Sequence, residues 1–293
     1  MRDLAPARRR LWLVAVLVCA AVLVALRLGE GVRAVGAVAA PFDTVLDART
    51  GRAVAAVLTA LLATGLSVRC GGRPLVPGLT AVVGAAVAVV TGDDLLLAAM
   101  AVVTGSVGAV LAVMATTPAA TFRRATREVL LAVLLAAITA LGVAGWTAPL
   151  SVARYDYVVL GLALVGAVAV VYSLGAGLHG LGARGTLVAA AAVLVLAFAL
   201  AYGEALAHWG SPGLIEWADR IQAGTRARLH AVPHPMEVLL GVPALVWGVF
   251  MRARRRQGWW VTAFGTVLTA PLASRLVDDV PLATTLLAEG YSL

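Results

Sequence analysis

LLLAAMAVVTGSVGAVLAVMAT, residues 95–116, runs for 22 residues without one ionisable side chain. As a helix it would rise about 33 Å, and the hydrocarbon core of a bilayer is about 30 Å thick. Its apolar residues fall on every face, so no wet side is left for a surface helix of a soluble domain. The stretch therefore reads as a transmembrane helix. Asp93 and Asp94 stand just before it and Thr117-Pro118 just after, where the chain re-enters water.

The composition extends this reading to the whole chain. Hydrophobic residues make up 61% of the 293 and charged ones 13%, far from the balance of soluble domains. Aromatic content is only 6%, so the excess lies in Ala, Val, Leu and Gly, which let helices approach closely in lipid. The formal charge is +8, but the basic residues do not gather as a nucleic-acid face would. All are arginine, in short clusters between apolar runs. No nucleic-acid partner is expected. The absence of lysine beside the Ala, Val, Gly and Arg bias points to a GC-rich, bacterial source and to its cell membrane.

Nine runs have the length of a span or nearly so: residues 11–26, 53–68, 75–90, 95–116, 129–150, 158–178, 186–207, 236–250 and 259–274. The second, third, eighth and ninth are the weakest, which leaves eight or ten crossings open. Arg8, Arg9 and Arg10 before the first run give it the look of a secretory signal, but the nearest small-x-small site, Ala37-Val38-Ala39, lies far beyond it. It reads as a retained helix. The expected fold is an all-α integral membrane bundle of about nine transmembrane helices, one domain over residues 1–293 with no soluble domain appended.

Orientation follows from arginine. With the N-terminus inside and the C-terminus outside, the inner segments hold fourteen of the 23 arginines and two of the 15 acids. Trp12, Trp146, Trp209, Trp259 and Trp260 fall at expected helix ends, the level indoles prefer. His179, alone at the inner end of the sixth run, reads as an interface residue. Cys19 and Cys70 lie in a span and in an inner loop, too far apart to bridge, and read as inert thiols.

Two outer segments are long enough for structure of their own. Residues 27–52 are expected to be helical in part from Pro41 onward. Residues 209–235 open with Ser211-Pro212, a helix start, and carry an apolar stripe at Leu214, Trp217 and Ile221 opposite a Glu216 to Arg220 pair. Glu216, Asp219, Arg220, Arg226 and Arg228 are too many charges to bury, so Ser211 to Leu229 is expected to form an amphipathic helix lying on the surface before the eighth span. Acidic pairs at Asp93-Asp94 and Asp278-Asp279 end the third and ninth runs alike, a faint sign of duplication that coincidence explains as well.

No nucleotide, zinc-protease, nucleophile-elbow or EF-hand motif occurs. Orientation does not require acids outside, so the acidic outer rim needs another account. Wet loops supply one. A cation or substrate site formed by Asp43, Asp47, Asp93, Asp94, Asp156, Asp278 and Asp279 would be another. Tyr155 and Tyr157 read first as interface anchors, and Arg154 and Arg275 as partners for acids near them. A second candidate cluster joins Glu204 and His208, four apart near the outer end of the seventh run, to His234 and Glu237 at the start of the eighth. Two imidazoles and two carboxylates would suit a divalent metal, with His230 to spare. The alternative is local: His234-Pro235 begins a helix, Glu237 serves its first turn, and His208 sits at the interface. No other cofactor is implied.

Three functional classes fit. The foremost is a non-enzymatic component, transporter-like or an assembly subunit of an envelope complex. An enzyme acting on a lipid-linked substrate at the outer leaflet through the rim carboxylates is the alternative, and a sensor or anchor the third. An enzyme needs converging carboxylates, a transporter interrupted helices, and a subunit a broad lipid-exposed face of small residues for its membrane partner.

Overall fold

A computed structural model of the chain describes residues 6–34, 48–174, 187, 190, 191, 193, 194, 209–231, 234, 236–254, 258–275, 287, 288, 290 and 291. Among them there is helix and no strand. Five helices are long and apolar enough to cross a membrane: Ala7–Leu28, Ala48–Arg69, Asp94–Ala115, Phe122–Gly145 and Arg154–Ser173. The first lies within α1 (Pro6–Ala34), the second is α2, the third α4, the fourth α5, and the fifth lies within α6 (Val152–Ser173). Between α2 and α4 runs α3 (Leu75–Thr91), apolar but of 17 residues. Of the seventh run only five residues are described, all helical.

α4 forms the centre and packs against α2, α3, α5 and α6. Glycine stands where its neighbours come closest. A Cβ on Gly108 would stand 2.7 Å from Thr139 Cβ of α5, so only glycine permits that approach. α1 leans on α2 and α5 and leaves Leu11, Leu17, Val18 and Leu28 more than half exposed, as a lipid-facing helix would.

Inside this bundle several polar groups bond across helices. Thr59 Oγ1 lies 2.6 Å from Thr104 Oγ1, and Trp146 Nε1 donates to the same Thr104 hydroxyl over 2.9 Å. Tyr155 donates from α6 to the Ala101 carbonyl of α4 over 3.1 Å. Trp146 is fully buried and held by this bond to Thr104.

Helix ends depart from the apolar runs in a consistent way. α2 begins at Ala48 and not at residue 53, and α5 at Phe122 and not at 129. In each, a turn or more carrying arginine is helical. Such side chains have aliphatic stems long enough to keep the guanidinium wet while the backbone stays in the helix.

The last part of the fold is less regular. α7 (Pro212–Leu229) starts at Ser211 with proline in its first turn and ends on His230 in a left-handed conformation. Trp217 and Ile221 of the stripe are 59% and 48% exposed and so are not buried against the bundle, while the Leu214 side chain lies outside the described residues. Arg220 Nε reaches the Glu216 backbone carbonyl, 3.2 Å away. A π turn, Glu237–Gly241, then leads into α8 (Val242–Arg252). The expected ninth span is interrupted, forming α9 (Gly258–Ala263) and α10 (Thr266–Ser274). Between them Phe264, Gly265, Val267 and Leu268 donate three residues back, a local tightening typical of hinges. α8 packs against α9 and α5, the π turn against α10, and α10 against α4, α5 and α6.

Candidate functional site

The two ends of the segment formed by the π turn and α8 each hold a buried charge. At the first end Glu237 is 1% exposed, and its Oε1 accepts from Arg275 Nη2 at 2.5 Å. The π turn places Glu237 on the face towards α10, whose end carries Arg275. The backbone amides of Glu237 and Val238 both donate to the His234 carbonyl over 3.1 Å, which ties the histidine to the start of this turn. His234 is half-buried. Burial first, and the Arg275 charge second, depress its pKa from 6.5 to about 4.

That shift fixes a sign. In the unfolded chain His234 takes up a proton near pH 6.5, whereas in the fold it does so near pH 4. The unfolded state therefore binds more protons between those values, and stability falls as pH drops from about 6.5 towards 4. His234→Asn is expected to flatten the pH dependence of the unfolding temperature across that window.

Of the candidate metal cluster, the structure brings His234 and Glu237 together; Glu204 and His208 lie outside the described residues. Among the described residues no three His, Cys, Asp or Glu side chains converge as metal ligands, and Arg275 occupies the place at Oε1 that a cation would take. Glu237 is also not the exposed first-turn residue that a cap would be, being buried against a guanidinium from 38 positions away.

Of the outer acids, Asp43, Asp47, Asp278 and Asp279 lie outside the described residues. Asp93 is the N-cap of α4, with Oδ1 accepting from Leu95 N at 2.9 Å and Leu96 N at 3.0 Å. Asp94 is exposed in the first turn of the same helix, where its charge meets the positive end of the dipole. Both residues thus have local employment. Asp93→Ala is expected to cost about 1 kcal/mol, read as a lowered unfolding temperature. Asp156 is half-buried beside Tyr155.

The other end of α8 holds a group that sequence reasoning missed. Arg252, 8% exposed, donates from Nη1 to Thr116 Oγ1 at 2.9 Å and from Nη2 to Thr116 O at 2.6 Å. Its guanidinium carbon lies 3.7 Å from the centroid of Trp259. Arg69, ending α2, donates to Met114 O at 2.5 Å and to the same Thr116 O at 3.1 Å. Glu128 accepts from Thr117 N at 2.7 Å, and Ala119 N donates to Val249 O at 3.2 Å. The loop between α4 and α5 is thereby bound to α8 by side chain and backbone together. Arg69 and Arg252 read in the sequence as orientation signals alone; their engagement with a Thr-Thr-Pro loop becomes visible only when α2, α4 and α8 end at one level. Beside them, burial raises the Cys70 thiol pKa and Arg69 pulls it back, which suits an inert thiol.

No protein-family model matches this chain, and no curated protein or solved structure matches it.

Proposed function

We propose that the chain is a non-enzymatic, transporter-like component of the bacterial cell membrane. In this reading it is a nine-span bundle with the N-terminus inside and the C-terminus outside, and α7 lies in the outer interface. The observation that carries the reading is the Glu237–Arg275 pair on a π turn packed against an interrupted helix. A carboxylate this deeply buried is costly, and interrupted helices are where transporters form their sites. The unit of π turn, α8, α9 and α10 is clasped at its outer end by Glu237 and Arg275 and at its inner end by Arg252 on Thr116. Two polar clasps on one element, separated by an apolar contact, give it the parts of an element that opens at one end at a time.

The enzyme alternative has less support. Asp93 and Asp94 serve the start of α4, and the described acids do not converge. A subunit reading expects small residues on the lipid-facing side, whereas α1 and α3 present Leu17, Val18, Leu79 and Val83 there.

Cysteine accessibility tests the proposal. In a protein with Cys19 and Cys70 replaced by alanine, Thr262→Cys and Thr266→Cys sit where side chains are fully buried. An impermeant thiol reagent is expected to label them from at least one side of a sealed vesicle. Arg73→Cys and Asp94→Cys report the two faces and are expected to label from inside and outside respectively. Thr262→Cys and Thr266→Cys inert from both sides would contradict the proposal.

A further inference from the structure

We propose that Arg69 and Arg252 form a binding site for a phosphate group at the arginine-rich end of the bundle. Two guanidiniums converge there on the single carbonyl of Thr116. Thr116 cannot neutralise them: its carbonyl carries no net charge, and its hydroxyl, which accepts from Arg252, already donates to Val113 O over 2.7 Å. Among the described residues Glu128 is the carboxylate whose charge reaches Arg252, and Arg69 opposes it. Exposed Arg73, Arg123, Arg127 and Arg254 at the same end add positive charge.

The second observation is an unused donor. Arg252 is more than nine-tenths buried and spends Nη1 and Nη2 on Thr116, yet its Nε–H has no hydrogen-bond partner. A buried donor left unmade costs free energy unless something accepts from it. Stacking on Trp259 fixes the guanidinium plane and hence the direction of that N–H. Half-buried Arg69 forms the wet side of the pair, and an anion entering past it would meet donors from both residues. A tetrahedral oxyanion fits this chemistry, since its oxygens can accept from two guanidiniums at once. The phosphate can come from a lipid headgroup lodged between helix ends or from a free anion, and basic pockets between spans are known to take headgroups.

Native mass spectrometry on the delipidated full chain distinguishes the sources. The probes are short-chain phosphatidylglycerol, short-chain phosphatidylcholine and inorganic phosphate, with the Trp259 fluorescence difference between wild type and Trp259→Phe as a second readout. One phosphatidylglycerol is expected to bind and to change the Trp259 signal. Arg252→Gln and Arg69→Gln are each expected to weaken it about tenfold or more, the worth of a charge-assisted hydrogen bond. Arg69, being half-buried, also serves as the variant that keeps the fold if Arg252→Gln does not. Arg124→Gln, exposed at the same end, is expected to leave binding unchanged. Competition by inorganic phosphate would assign the site to a free anion, and its failure to compete would assign it to a headgroup; both support a phosphate site. Equal weakening by Arg69→Gln and Arg124→Gln, or no binding by any probe, would overturn it.

Discussion

Glu237→Ala is expected to lower stability by about 3 kcal/mol, because it removes the buried carboxylate that accepts from Arg275. Glu237 is 1% exposed, whereas the Arg275 side chain is 22% exposed, so water can meet part of the guanidinium's need. That places the expected loss towards the lower end of the range for a broken buried pair. Arg275→Ala takes the guanidinium from the more buried partner and is expected to cost at least as much. The double variant is expected to lose less than the two single losses added together, since the two residues are in contact. Chemical unfolding in detergent reads all three. Additive losses would mean that the pair does not act as one, and losses no larger than that of the exposed Asp94→Ala would mean that Glu237 is not buried.

Gly248→Ala is expected to be as damaging, through sterics alone. A Cβ at this position would stand 2.6 Å from Thr262 N and 2.7 Å from Thr262 Cα, both backbone atoms that cannot turn aside. Overpacking against movable side chains costs about 1–3 kcal/mol; here α8 and α9 would have to separate as units. Gly258 meets the same contact from the other side, with Gly248 O at 2.8 Å. Gly161→Ala in α6 is the control, having nothing within 4 Å. It is expected to be neutral or to gain up to about 1 kcal/mol in helix propensity. Thermal unfolding of the two variants side by side should show a large fall for the first and none for the second.

Legibility in the sequence divides along local and non-local lines. Residues 95–116 announce α4 almost to the residue, because an uninterrupted apolar run and an acidic cap are both local signals. The Pro212–Leu229 helix was legible for the same reason, from Ser-Pro at its start and charges along it. Counting apolar residues cut α2 and α5 short, since Arg52, Arg123 and Arg124 belong to helices whose ends they hold in water. Arg52 also ties α2 to the end of α5 by donating to Thr147 Oγ1 over 3.0 Å, a contact no periodicity reveals. The interruption at Phe264-Gly265 lay inside an apolar run and carried no charge or proline to mark it. Glu237 and Arg275 were each in view, yet their pairing joins the start of one segment to the end of another. The arginine pair on Thr116 was hidden more completely, because arginine at a helix end already had an explanation in orientation.

In the proposed function the unit of π turn, α8, α9 and α10 opens at one end while it stays closed at the other. Pulsed electron resonance distances between spin labels on the wild-type background measure this directly. One pair, on exposed Leu239 and Arg154, spans the end held by Glu237 and Arg275; the other, on exposed Arg254 and Arg124, spans the end held by Arg252. Two distance populations are expected for each pair, and Glu237→Gln is expected to shift the first pair towards the longer distance and the second towards the shorter. A single narrow distance for both pairs, unmoved by Glu237→Gln in a folded protein, would contradict it.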